Sequence, residues 1–357
     1  MLKSLRNLIG NQAFGTGAAI TTVQPPIQSL DRGFPAGEKF FAGLALRIYG
    51  KLNITAGAAG TNVEPAQFLR NVYFDTDKHG PIINNVDGIS LARLHTFLNG
   101  VPPAIIQPSA LTTADGLVFS ETINIPFAQR FNLRPEDTHL YMKTARPKLS
   151  YVGGVFTDLV AGGTMTKSDA FPFLQATSLE TAEADGSPLK ANDMPLYVPF
   201  VELKKVSIAA TTSGFKIELP YGDRIYQFLG ISQRNPTTLA EVDNAVIVRE
   251  ANIRLEKNNQ PIVNTIQWAD VQDETKRMFR LATLPTGWGV LNFAGEEKKP
   301  RQISEMLNTV DTAAGTLNLF LDAVTGQGEI WILMMGYMPL RNKAAWNDLP
   351  AEITGAK

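Results

Sequence analysis

Asp75, Asp77 and His79, at alternate positions before Gly80, look like the opening of a calcium-binding loop. Such a loop needs a bidentate carboxylate at its twelfth position, and that position is Val86. A similar stretch at residues 254–259 offers only Glu256 as a charged oxygen ligand. A hairpin turn is therefore expected at both places. GGTMTKS at residues 162–168 resembles a phosphate loop, but Thr166 stands where a glycine must precede the lysine. GTGAAI at residues 15–20 has two glycines of a dinucleotide turn and no strand before it. Glu136–Asp137 and Glu296–Glu297 are the carboxylate pairs that could cleave a glycosidic bond. The first follows Arg134-Pro135 and reads as the start of a turn. The second runs into Lys298–Lys299 and reads as a solvated charged turn. His79, His95 and His139 are not at mutual ligand spacing, and His95 is expected to be a capping or surface group. No nucleophile elbow or zinc-protease helix motif occurs. The expectation is no enzyme: no catalytic residue, no cofactor and no metal.

The elements that would carry these residues show an internal repeat. FPAGEKFF at residues 34–41 returns as LPYGDRIY at 219–226. FLRNVYFDTDKHGPIIN at 68–84 returns as IVREANIRLEKNNQPIVN at 247–264, matching Arg70 to Arg249, Lys78 to Lys257, Pro81 to Pro261 and Asn84 to Asn264. The offset of about 180 residues is half the chain, far longer than the roughly 20–50 residues of a solenoid unit. It marks a duplicated domain.

Composition agrees with two ordinary domains in 357 residues. Hydrophobic residues make up 44 % and charged residues 19 %, a surface poor in charge for a soluble chain. The net charge of −1 provides no basic field for nucleic-acid phosphates. Cysteine is absent, so neither disulfides nor thiolate metal sites exist. No apolar run of about 18 residues is present to span a membrane as a helix. Gly10, Asn11 and Gln12 interrupt the N-terminal apolar stretch, so no secretory signal is read.

Residues 1–33 read as an N-terminal arm. Leu2, Leu5, Leu8 and Ile9 fall on one side of a short helix, with Lys3 and Arg6 beside them. From residue 34 short β segments alternate with turns. Leu44, Leu46 and Ile48 alternate along a strand at 41–54. Residues 87–100 predict a helix with the stripe Ile89, Leu91, Leu94, Phe97 and Leu98, ended by Gly100. Residues 265–280 predict its counterpart. Residues 161–195 read as a long polar loop, which in a compact domain is expected to be functional or to form an interface. Thr211–Gly214 reads as the link between halves. Residues 329–340, the most apolar segment, predict a buried central strand. The expected fold is all-β: two tandem eight-stranded jelly rolls, each a β-sandwich with a short helix. The expected divisions are an arm at 1–33, rolls at 34–213 and 214–340, and a polar tail at 341–357.

The order strand–turn–strand–helix in both halves resembles the double jelly-roll major capsid proteins of tailless icosahedral phages with an internal membrane, the tectivirus–adenovirus lineage. The closing FRLATLPTGWGVLNFAGEEKKPRQI and LNLFLDAVTGQGEIWILMMGYMPL are similar to the last strands of such proteins. The resemblance covers about residues 30–340 and brings no catalytic or binding residue with it. It implies a structural virion protein whose trimers form pseudo-hexagonal tiles of an icosahedral shell around a membrane. Its partners would be its own copies, neighbouring trimers, minor capsid or penton proteins and the viral inner membrane, with no direct nucleic-acid recognition. It would be made in the host cytoplasm and reside in the virion. The membrane-facing residues would be Leu2, Lys3, Leu5, Arg6, Leu8 and Ile9 of the arm. The alternative is a tandem jelly-roll glycan-binding module or glycan-cleaving hydrolase, which needs clustered acids and exposed aromatic rings in a cleft. Trp268, Trp288, Trp331 and Trp346 are too scattered to promise that. A phage tail or spike protein would carry fibre repeats, and none occur.

Overall fold

The structure, a computed structural model, describes residues 3–13, 40–56, 64–76, 79–107, 114–127, 140–141, 147–155, 164–167, 173–182, 197–243, 246–296, 299–310, 315–324, 326 and 328–339. The chain divides into two compact units. The first comprises residues 1–129, 134–198 and 341–357, and the second residues 130–133 and 199–340.

The first unit is built from β1 (Lys3–Ala13), β2 (Phe40–Ala56), β3 (Leu69–Thr76), β4 (Gly80–Val86), β5 (Ala104–Ile106), β6 (Ala114–Pro126), β7 (Leu140–Tyr141), β8 (Pro147–Gly153), β9 (Thr164–Lys167) and β10 (Phe173–Ala182). A 3-10 turn, Pro65–Phe68, precedes β3, and helix α1 (Gly88–Asn99) follows β4. One sheet runs β1-β10-β2-β6-β5, with β7 and β9 paired to β2. Facing residues from a second set of strands, β4-β3-β8, complete the core. Leu44, Leu46 and Ile48 of β2, Phe119, Ile123 and Ile125 of β6, and Val72 and Phe74 of β3 are buried. Each such side chain contributes about 1.5–3 kcal/mol through removal from water.

Helix α1 forms where the sequence predicts it. Asp87 caps its N-terminus, accepting from the Ser90 N–H at 3.0 Å and the Ser90 hydroxyl at 2.6 Å. Gly100 ends it in the left-handed region, φ 74°, where a residue with a Cβ would be strained. Ten of the helix's twelve residues are buried.

The second unit contains β11 (Tyr197–Ile208), β12 (Thr212–Leu219), β13 (Ile225–Arg234), β14 (Asn252–Lys257), β15 (Gln260–Gln267), β16 (Trp288–Asn292), β17 (Gly295–Glu296), β18 (Lys299–Pro300), β19 (Leu307–Asn308), β20 (Leu317–Val324) and β21 (Gly328–Pro339), with helix α2 (Trp268–Met278) after β15. Its sheets are β16-β13-β21-β11 and β12-β20-β14-β15. Strand β21 is the buried inner strand that its apolar sequence predicts, and every residue of β13 is buried.

The repeat in sequence is a repeat in topology. The order β1-β10-β2-β6 matches β11-β21-β13-β16, the order β8-β3-β4 matches β20-β14-β15, and α1 matches α2. Seven of the second unit's eight principal strands have a described counterpart in the first, β12 being the exception. This is the jelly-roll pattern, twice over.

Three expectations are corrected. Residues 3–13 form no helix: they are strand β1, paired antiparallel with β10 from Lys3↔Ala182 to Ala13↔Phe173. An isolated short helix is marginal, whereas the ladder with β10 pairs the backbone groups on one edge of the segment. Leu5, Leu8 and Ile9 therefore do not share a helical stripe, and Leu2 lies outside the described residues. The expected loop at 161–195 contains β9 and β10, and β10 is an inner strand between β1 and β2. Thr212, Ser213 and Gly214 open strand β12 rather than linking the halves. The tail at 341–357 lies outside the described residues.

Candidate functional site

Both calcium-like stretches are hairpin turns. Thr76 Oγ1 accepts the His79 N–H at 2.8 Å and lies 2.9 Å from His79 Nδ1, and Gly80 follows at φ 73°. In the second unit Asn258 and Asn259, at φ 54° and 61°, form the β14–β15 turn. Glu256 there pairs with the Arg254 guanidinium at 3.1 Å. Thr164–Lys167 of the phosphate-like stretch is strand β9. Glu296 on the exposed β17–β18 hairpin pairs with Arg277 of α2 at 3.0 Å, and Glu297 lies outside the described residues, as do Glu136, Asp137, His139 and residues 15–20. Among the described residues no three of His, Asp and Glu gather as a metal-binding set.

The strongest cluster of ionisable groups lies in the first unit, and the sequence reading missed it. Glu121 on β6 is fully buried. Its Oε2 accepts the Ala66 N–H of the 3-10 turn at 2.7 Å, and its buried Oε1 has no donor. Beside it stands Glu64, the residue capping that turn, whose two oxygens take both Nη groups of Arg93 from α1 at 2.9 and 2.8 Å. Burial first, and then the Glu64 charge, push the Glu121 carboxyl up to about 8, against the pull of the Ala66 N–H and of Arg93. A hydrogen bond to Glu64 further favours the protonated form. Parity was the overlooked signal: Glu121 shares a strand face with Phe119, Ile123 and Ile125.

His95 is likewise not the surface or capping group expected. It is buried on α1, one helical step from Leu91 and Leu98, and its Nδ1 accepts the Asn124 N–H of β6 at 2.7 Å. Burial lowers its pKa to about 4. A neutral ring is therefore the acceptor that this β6 amide needs.

In the second unit Arg234 is buried between two indoles, 5.9 Å from the Trp288 ring centre and 4.6 Å from that of Trp331. Glu241 balances it at 3.4 Å and accepts the Trp288 indole N–H at 2.6 Å. Trp331 donates to Glu329 at 2.6 Å, and Lys205 lies 4.2 Å over its ring. Trp268, like these two, is buried. A sugar-stacking platform needs an exposed ring, and none of these three is one. Glu121 and Glu64 resemble a glycosidase pair only in chemistry: one is fully buried and the other is clamped by arginine, so no glycosidic oxygen can come between them.

No described protein family and no curated protein matches the sequence. Similarity appears in three dimensions. A structure of Sulfolobus Turreted Icosahedral Virus superposes with a TM-score of 0.66 at 16 % identity, covering 99 % of this chain and 95 % of that one. The major capsid protein P2 from Bacteriophage PM2 follows at 0.55 and 13 % identity, with 96 % and 100 % covered. A chain of the PBCV-1 virus capsid gives 0.55 at 11 %, with 94 % and 93 % covered. Coverage near the full length of both partners means that both rolls have counterparts, and not one sandwich alone. The fold of this chain is that of the double jelly-roll major capsid proteins.

Proposed function

We propose that this chain is a major capsid protein. The observation that carries the proposal is the match over 99 % of the chain to the Sulfolobus Turreted Icosahedral Virus structure. Its role is structural and not enzymatic: it resides in the virion, and its chief partner is itself. Three copies, each contributing two rolls, form a pseudo-hexagonal trimer that tiles an icosahedral shell, joined to minor capsid or penton proteins and enclosing a membrane. Contacts of this obligate kind bury on the order of 2,000 Å² or more. In this reading the boundary between rolls falls before β11, near residue 197, because β11 stands in the second unit where β1 stands in the first. This replaces a boundary near Gly214, and β1 joins the first roll instead of belonging to a separate arm at 1–33.

Light scattering on the purified protein tests the proposal. A particle of about three times 38.9 kDa is expected. A monomer at assembly concentrations would overturn it and restore the glycan-binding alternative.

The membrane-facing role of Leu2, Lys3, Leu5, Arg6, Leu8 and Ile9 is retained as part of the proposal, now supported by Lys3 and Arg6 and not by a helical stripe. Each cation near an anionic leaflet contributes about 1 kcal/mol, multiplied over a trimer. A Lys3→Glu/Arg6→Glu protein should trimerise normally and float less with anionic vesicles. Unchanged flotation would remove the membrane role.

A further inference from the structure

We propose that the seam joining the 3-10 turn and α1 to β6 is a proton-held latch, in which one proton shared between Glu121 and Glu64 keeps the turn and helix docked and its loss loosens them. The groups are counted from every side. Glu64 comes from the turn, Arg93 from α1 and Glu121 from β6. The strand neighbours directly opposite Glu121 are Ile48 of β2 and Ile105 of β5, which bring no charge. Arg47 of β2 is exposed and occupied with Ser120, on the other side of β6. Among the described residues two further titratable groups lie on the seam: Asp87, which is held by Ser90 at the N-terminus of α1, and His95, whose buried ring is neutral above about pH 4. Two carboxylates therefore share one arginine, leaving one buried negative charge uncompensated when both are ionised. A single proton on the undonated Oε1 of Glu121 removes that charge and supplies a donor to a Glu64 oxygen, which has lone pairs beyond those facing Arg93.

The sign follows from the raised value. Glu121 titrates near 4.5 when released and near 8 when docked. The open form is thus deprotonated and the docked form protonated between those values, and docking weakens as pH rises through that window. His95 works in the opposite direction below its ordinary value of 6.5. The latch is therefore read cleanly between pH 6.5 and 8. There the opening equilibrium should grow about tenfold per pH unit.

Hydrogen exchange on the full-length protein, corrected for the intrinsic pH dependence of exchange, tests this. Amides of residues 66–68 and 88–99 should lose protection over that window while those of α2 hold theirs. Glu121→Gln keeps an acceptor for Ala66 and a permanent donor toward Glu64, and should flatten the slope. Equal slopes in the wild type and Glu121→Gln, or a parallel loss in α2, would overturn the latch. If the variant does not fold, the wild-type infrared spectrum decides: a protonated-carboxyl band present at about pH 6 and absent at about pH 9.5 is required, and its absence at the lower pH refutes the proposal.

Discussion

Helices α1 and α2 occupy the same place in the two rolls and solve one problem with different chemistry. Each must satisfy a backbone N–H of a following strand, and each does so from its eighth residue. In the first unit His95 Nδ1 takes the Asn124 N–H at 2.7 Å. In the second Thr275 Oγ1 takes the Val290 N–H at 2.7 Å while donating to the Val271 carbonyl at 2.6 Å. The topology fixes where the acceptor must be and leaves its identity open. One unit fills that place with a group that titrates and adds the Glu121–Glu64–Arg93 cluster. The other uses a hydroxyl that never changes charge. Among the described residues, the two buried groups with large shifts between about 4 and 8, His95 and Glu121, both lie in the first unit.

The largest expected effect probes how tightly each helix is seated. A Cβ on Gly88 of α1 would lie 2.0 Å from the Ala66 carbonyl oxygen, a backbone atom that cannot step aside. One on Gly289 of β16 would lie 2.6 Å from the Trp268 ring. Gly88→Ala should cost about 3 kcal/mol in urea unfolding and Gly289→Ala somewhat less. Equal or reversed costs would break the contrast.

Acid comes next. The docked His95 is pushed below its unfolded value, so its contribution is complete above pH 6.5 and is lost as pH falls toward 4. His95→Asn keeps an acceptor without that titration. The wild type should lose stability relative to His95→Asn by about tenfold in folding constant per pH unit across this window. The difference between the two proteins is the measure, since Glu121 opposes His95 down to about 4.5.

Thr275→Val should cost about 1–3 kcal/mol at every pH, because it orphans a buried amide. Thr275→Ser should restore most of the loss. A pH-dependent cost would show that the second unit titrates after all. The smallest effect is at the caps: Asp87→Ala should cost about 1 kcal/mol in thermal unfolding. Gln267→Ala should cost close to nothing, since Gln267 makes no side-chain cap.

The sequence shows the features with local causes. Alternation at Leu44, Leu46 and Ile48 and the turn at Asn258–Asn259 predict strands and a hairpin, and the Asp87 and Gly100 signals bound α1 within a residue. What it hides is set by pairing at a distance. The spacing of Leu5, Leu8 and Ile9 suits a helix, and only β10, some 170 positions away, makes the segment a strand. Residues 173–182 are polar enough to read as loop for the same reason: their order comes from β1 and β2 on either side. Glu121 draws no notice in the sequence and His95 reads as a capping or surface group, because charge and polarity usually mean surface. Their positions on the apolar faces of β6 and α1 said otherwise.

The burial of Trp268, Trp288 and Trp331 also makes the molecule its own optical instrument. Among the described residues every tryptophan lies in the second unit. Two of them flank the Arg234 guanidinium, so their emission should change sharply when that sandwich separates. Tyrosines are divided between the units, Tyr73 and Tyr151 in the first and Tyr221, Tyr226 and Tyr337 in the second. In a Trp346→Phe protein, red-edge excitation of tryptophan therefore follows the second unit alone, with no label added.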